Sequence, residues 1–175
     1  MTAPELSRTI KIRQIRNEAE TIEANASERL ALAQRFGVAA IDSLTAKIAL
    51  DPDGPRIAAK GSLNARITQT CAISGEDFPV AIDETIELVF VPAKPAIASV
   101  GEEIEIELER EELDEIEYEG DSFDLGEAVA QSLALAIDPY AEGPEADATR
   151  KKAGLTSDDA PSGPLAEALA ALKKG

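Results

Sequence analysis

Histidine and tryptophan are absent from this chain, and cysteine occurs once. Each shortage excludes something. Without histidine there is no imidazole base, so the commonest general base and the His-containing triads are gone. One cysteine cannot close an internal disulfide and, with no histidine beside it, cannot build a structural zinc site within one chain. Four phenylalanines and two tyrosines are the only aromatics, so the core is expected to be aliphatic. No run of about 18 apolar residues exists, so no membrane span is expected. The first residues, MTAPELSRTIKIRQIR, lack the apolar stretch of a secretory signal. These features together favour a cytoplasmic protein. Neither a GxxxxGK[ST] loop nor a GxGxxG turn is present, which argues against a phosphate-cradling nucleotide site. Nothing points to a cofactor or to a small-molecule substrate.

What is abundant is negative charge, and it is concentrated. The formal net charge of the 175 residues is -17. Residues 1–100 hold 13 acids and 11 bases, and residues 128–175 hold 7 and 5. Residues 102–127 hold 14 acids and a single base, Arg110. The protein is therefore close to neutral except for one acidic run. Binding of nucleic acid by the whole surface is disfavoured, because it depends on Lys and Arg neutralising phosphates. A local basic face is not.

The stretch YEGDSFDLGEAVAQSLALAID, Tyr118 to Asp138, organises the rest. Asp124 has the place of a helix N-cap, and Glu127, three residues on, can reach back to its amide as in a capping box. Leu125, Ala128, Val129, Ser132, Leu133 and Ala136 recur at helical spacing on a face of small residues, and Pro139 stops the helix. A structural role as caps is favoured for both carboxylates over a catalytic one.

Earlier in the chain, RTIKIRQIR (Arg8 to Arg16) reads as a strand with Ile10 and Ile12 on one face and Lys11 and Arg13 on the other. Asn25 to Gly37 reads as a helix with an Asn25–Glu28 capping box and Gly37 as its left-handed stop. Leu32–Phe36 and Leu30–Ala33 mark its buried stripe. From Ser43 the period is two. Leu44 to Leu50 and Ile57 to Ile67, separated by DPDGP, predict an antiparallel hairpin, with a bulge or bend at Gly61. Val80 to Phe90 predicts a third long strand, interrupted by Glu84. Pro92 to Ser99 reads as an exposed connection. Glu103, Glu105, Glu107 and Glu109 alternate with Ile104, Ile106 and Leu108 on one more strand. Residues 141–163 read as a flexible linker, and 164–175 as a short helical segment with lysines at its end.

The glutamate row is the sharpest chemical feature. Side chains two apart on a strand lie roughly 7 Å from each other, so each pair repels by only about 0.6 kcal/mol in water. The row is thus tolerable as a plain solvated face. Its functional reading is a surface for something basic, either a strand of the same chain carrying Lys11 and Arg13 or a basic partner protein. Lys11, Arg13, Arg16, Lys47, Lys60 and Arg66 fall on polar strand faces and could contact phosphate. The plain reading is ordinary sheet surface, and no aromatics accompany them to stack bases.

The strand ending in Gln69-Thr70-Cys71, the turn and strand through Phe90, and above all YEGDSFDLGEAVAQSLALAIDPY resemble the bacterial YceD family. The closing PLAEALAALKK is similar to that family's last segment. The resemblance implies a part in large ribosomal subunit assembly, since family members are associated with accumulation of large-subunit ribosomal RNA. No catalytic activity is established for that family, and none is expected here. Many members carry Cys-x-x-Cys where this chain has CAIS. Here Ser74 stands in the second place, and Cys71 is expected to be a small, partly buried residue at a strand end.

The expectation is an α+β domain over residues 1–140, with a curved antiparallel sheet, barrel-like at its most closed, covered by two helices. A linker over 141–163 and a C-terminal helix over 164–175 follow. The expected function is non-enzymatic support of large-subunit assembly. The candidate face for a basic partner is Glu103, Glu105, Glu107 and Glu109, and for ribosomal RNA it is Lys11, Arg13, Arg16, Lys60 and Arg66. The rivals are an acidic protein-binding adaptor unrelated to RNA and, behind it, a hydrolase using paired carboxylates.

Overall fold

A computed structural model describes residues 4–93, 115–154 and 171. The chain forms two compact units: Met1–Thr68 with Pro79–Asp138, and Gln69–Phe78 with Pro139–Gly175. In chain order the elements are β1 (Thr9–Lys11), β2 (Glu20–Glu23), α1 (Ala26–Phe36), β3 (Ala40–Asp53), β4 (Arg56–Thr70), β5 (Asp77–Pro92), β6 (Glu115–Tyr118), β7 (Ser122–Asp124), α2 (Leu125–Ala136) and α3 (Ala146–Lys152).

The first unit is built on the expected hairpin. Leu44, Ala46, Ile48 and Leu50 of β3 and Ile57, Ala59, Leu63, Ala65 and Ile67 of β4 are all buried. Period-two alternation puts them on one face of the sheet. The two strands pair from Asp53↔Arg56 back to Ala40↔Thr68, so Gly54 and Pro55 make the turn. Gly54 takes φ 60° there, a left-handed conformation that glycine adopts without steric cost. The irregularity in the ladder lies between Ile41 and Ser43, where one extra residue resets which side chains face inward. It does not lie at Gly61, where a bulge or bend was expected. Pairing runs through that glycine unbroken, because the β3 backbone crosses so closely that a Cβ would sit 2.0 Å from the Lys47 carbonyl oxygen.

The sheet order is β2-β3-β4-β5-β6, and β1 and β7 form a separate pair. The expectation of a wholly antiparallel sheet is corrected at one edge, where β6 runs parallel to β5. Among the described residues the sheet is open, with β2 and β6 at its edges. Its apolar face carries Ile22, the hairpin residues, Ile82, Ile86 and Phe90. The helices contribute Leu32 and Ala33 from α1 and Leu125, Ala128, Val129 and Leu133 from α2. Phe90 stacks on Phe123 with ring centroids 4.1 Å apart. The Tyr118 hydroxyl donates to the Pro55 carbonyl at 2.7 Å, which ties β6 to the hairpin turn.

Helix α1 starts and stops as expected. Asn25 accepts from the amides of Ser27 and Glu28, Glu28 returns to the Asn25 amide at 2.8 Å, and Gly37 is left-handed at φ 68°. Leu30 departs from the expected stripe. It is 64% exposed, while Leu32, Ala33 and the half-buried Phe36 form the face that packs on the core. The long strand expected over Arg8–Arg16 is also corrected. Strand β1 ends at Lys11, and Ile12–Gln14 is a 3-10 turn. The partner strand β7 is three residues long, which leaves nothing for the rest of the segment to pair with.

In the second unit, Cys71 to Gly75 form a turn in which the Gly75 amide donates to the Cys71 carbonyl at 3.0 Å. The 141–163 stretch read as linker contains helix α3, whose buried residue is Ala146. Arg150 pairs there with Glu142 and Asp147. Glu103 to Glu109, the connection over 94–99 and all of the C-terminal segment except Ala171 lie outside the described residues. No helix among the described residues is long and apolar enough to cross a membrane.

Candidate functional site

The N-terminal segment is held down by the motif that stood out in sequence. The Asp124 carboxylate accepts from the Glu127 amide at 3.1 Å, as an N-cap should. The same oxygen, Oδ1, accepts the Arg8 amide at 2.8 Å, and Oδ2 accepts the Ser7 hydroxyl at 2.6 Å. The Leu125 amide in turn donates to the Arg8 carbonyl at 3.0 Å. Gly126 allows this approach: a Cβ there would lie 2.7 Å from the Arg8 nitrogen and 2.8 Å from the Leu6 carbonyl oxygen. The expected reach of Glu127 back to the cap is replaced by another contact. Its carboxylate pairs with Arg35 of α1 at 2.7 and 3.0 Å, a two-bonded arrangement that outcompetes one backbone amide.

Arg8 and Arg35 bracket α1. Arg8 donates to both oxygens of Glu28, at 2.7 and 3.1 Å, and to the Glu23 carbonyl. Arg35 also reaches Glu5 at 2.9 Å. The hydrogen bond from Arg8 holds the Glu28 carboxyl below its ordinary range, and that from Arg35 does the same to Glu127. Both guanidiniums are pushed up in return. Sequence reading did not find this bracket, because its partners are 20 and 92 residues apart. The only local trace was Glu28 and Glu127 as third helical residues.

Beyond Arg8 the anchored segment presents its cations outward. Ile10, Ile12 and Ile15 pack against the core, while Lys11, Arg13 and Arg16 are exposed. The Ile12 amide donates to the Asp121 carbonyl at 3.0 Å, which fixes the start of the 3-10 turn. Lys11, Arg13 and Arg16 line one open concavity of about 580 Å³ with Thr9, Gln14 and Glu20. Among the described residues, none of the three has a side-chain partner.

The five basic candidates therefore do not form one face. Lys60 and Arg66 lie on the exposed side of β4, and Lys60 is paired with Glu87 at 2.5 Å. That pair raises the lysine and lowers the glutamate from their ordinary values. Asn64 bonds Asp83 on the same side. Lys60 and Asn64 thus have local partners on this side, whereas Arg66 has no carboxylate partner among the described residues. The acidic candidates Glu103, Glu105, Glu107 and Glu109 lie outside the described residues.

Cys71 is more buried than expected, at 3% exposed. Its Sγ accepts amides from Ile73, Ser74 and Gly143 at 3.4, 3.3 and 3.2 Å. The Ser74 hydroxyl, then these amides, pull the thiol down to about 7. Among the described residues there is no cluster of three or more Cys, Asp or Glu side chains able to hold a metal ion.

A model of the family described as "Large ribosomal RNA subunit accumulation protein YceD" matches residues 59–173. No curated protein and no solved structure matches the chain. The match spans most of the chain and includes the whole Tyr118–Asp138 stretch, and the chain belongs to this family.

Proposed function

We propose that this YceD-family chain supports assembly of the large ribosomal subunit by binding one of its components, and that it acts in the cytoplasm without catalysing a reaction. The family match over residues 59–173 carries this reading. The residues fit it as well. The polar cluster of Asp124 with Arg8, Glu28, Arg35 and Glu127 is spent on internal pairs that lock helices and the N-terminal segment together. Such a cluster stabilises a scaffold and offers no free acid or base. The basic concavity suits ribosomal RNA, and the acidic sequence with Glu103, Glu105, Glu107 and Glu109 suits a basic ribosomal protein.

The test is affinity capture of the tagged full chain from cell extract, with and without ribonuclease. Enrichment of large-subunit RNA or protein is the expected result. Loss of the protein component after ribonuclease assigns RNA as the bridge, and survival assigns a direct protein contact. If neither treatment enriches a large-subunit component, the assembly reading is wrong.

A further inference from the structure

We infer that the concavity lined by Lys11, Arg13 and Arg16 is a contact site for the phosphodiester backbone of RNA. This deepens the assembly reading and rests on it for the choice of RNA as the polyanion. The site lies ahead of residue 59, where the family match begins.

Three observations carry the inference. The cations are unpaired among the described residues, whereas Arg8, Arg35, Arg56, Lys60 and Arg150 each have a carboxylate partner. Arg29, Lys47, Arg66, Lys151 and Lys152 also lack a carboxylate partner among the described residues, but Lys11, Arg13 and Arg16 share one concavity, in a chain of net charge -17 with twice as many acids as bases. They are also pre-positioned. The β1–β7 ladder, the 3-10 turn and the three inward isoleucines fix the backbone on which they stand, so little ordering is needed on binding. Finally, they are exposed and the concavity is open. Exposed cations in water gain little from one small anion. With a polyanion the gain comes from release of condensed counterions, which exposed cations obtain in full. Among the described residues no aromatic side chain lines the concavity. The contact is therefore to the backbone and independent of sequence. Among the described residues Glu20 is the one acid in the lining, and it opposes binding.

The test is binding of a fluorescein-labelled RNA stem-loop to the full chain, followed by anisotropy across salt. Three phosphate contacts give a slope of log affinity on log salt of roughly -2 to -3, so affinity falls about 15- to 65-fold between about 50 and 200 mM. The K11Q/R13Q/R16Q variant is expected to lose most of the slope, K60Q/R66Q to keep it, and E20Q to bind more tightly. Circular dichroism confirms that each variant is folded; if the triple variant is not, R13Q and R16Q separately are each expected to lower the slope by about one.

An unchanged slope in the folded triple variant overturns the inference, as does an equal loss in K60Q/R66Q. Displacement of the RNA by inorganic phosphate beyond the effect of chloride at equal ionic strength assigns a small-anion site and also overturns it. The same variants go through the affinity capture from extract. If wild type enriches large-subunit components and the triple variant retains both capture and slope, only this inference fails. If wild type enriches none, the assembly reading fails whatever the anisotropy shows.

Discussion

Replacing Asp124 with alanine removes three hydrogen bonds at once, and their separate costs can be worked out. Loss of the cap to the Glu127 amide costs about 1 kcal/mol. The half-buried Arg8 amide loses a charged acceptor, worth about 1.5–3 kcal/mol. The Ser7 hydroxyl is exposed and turns to water at little cost. The sum is about 2.5–4 kcal/mol, which for a chain of this length lowers the melting temperature by roughly 5–15 °C. Asparagine is the discriminating control. Its Oδ1 can keep both amides, because in the native protein the same oxygen accepts both. Its Nδ2 can donate to the Ser7 oxygen. Only charge assistance and the favourable dipole interaction are lost, about 1 kcal/mol. Urea unfolding followed by far-UV circular dichroism suits a protein without tryptophan. The midpoint should fall strongly for D124A and slightly for D124N, with an unchanged slope. Amide exchange at Arg8 and Leu125 should accelerate in D124A, since these two donors hold the N-terminal segment on α2. Equal midpoints for the two variants, or a D124A midpoint within error of wild type, would refute the reasoning.

Gly126→Ala gains about 1 kcal/mol of helix propensity but drives a Cβ against the backbone of Arg8 and Leu6. The overpacking cost of about 1–3 kcal/mol should win, and a stabilised variant in calorimetry would show that the segment yields. For Glu28 and Glu127, whose folded carboxyls titrate low, the ion-pair stabilisation is complete above the ordinary value of about 4.3 and is lost as pH falls through the folded values. The melting temperature of wild type should therefore drop between about pH 5 and pH 3 more steeply than that of E28Q/E127Q. For Cys71, thiolate absorbance should titrate near the value of about 7, and Ser74→Ala should move it toward the free-thiol value of about 8.5. Because the folded thiol titrates low, its stabilisation is full above about 8.5 and disappears below about 7. The gap in urea midpoint between wild type and C71A should widen over that window.

The parts legible in sequence are those whose causes are local. Leu44 to Leu50 and Ile57 to Ile67 alternate on either side of Asp51–Pro55, so each strand finds its partner within a few residues, and the hairpin forms, although Asp51–Asp53 continue β3 and the turn shrinks to Gly54 and Pro55. The Asn25–Glu28 box and the Gly37 stop lie within one short helix and were also legible. What failed depended on a distant partner. Arg8 to Arg16 alternates well enough to be a long strand, yet a strand is only as long as the edge it meets, and Ser122–Asp124 offers three residues. Glu127 could cap its own helix or bind Arg35, and nothing near it in sequence announces an arginine 92 positions away. The parallel pairing of Glu115–Tyr118 with β5 is invisible for the same reason.

The five basic candidates show how this bears on function. A count along the chain treats Lys11, Arg13, Arg16, Lys60 and Arg66 alike, and a net charge of -17 dismisses them together. A polyanion does not meet the sum. It meets whichever cations lack a carboxylate and stand close to one another. Glu87 neutralises Lys60 across neighbouring strands, while the 3-10 turn gathers Lys11, Arg13 and Arg16 into one concavity. At the Debye length of about 8 Å that holds in physiological salt, charges elsewhere on the surface are largely screened from that concavity. An acidic protein can therefore carry a basic contact, provided its folding leaves those three side chains unpaired.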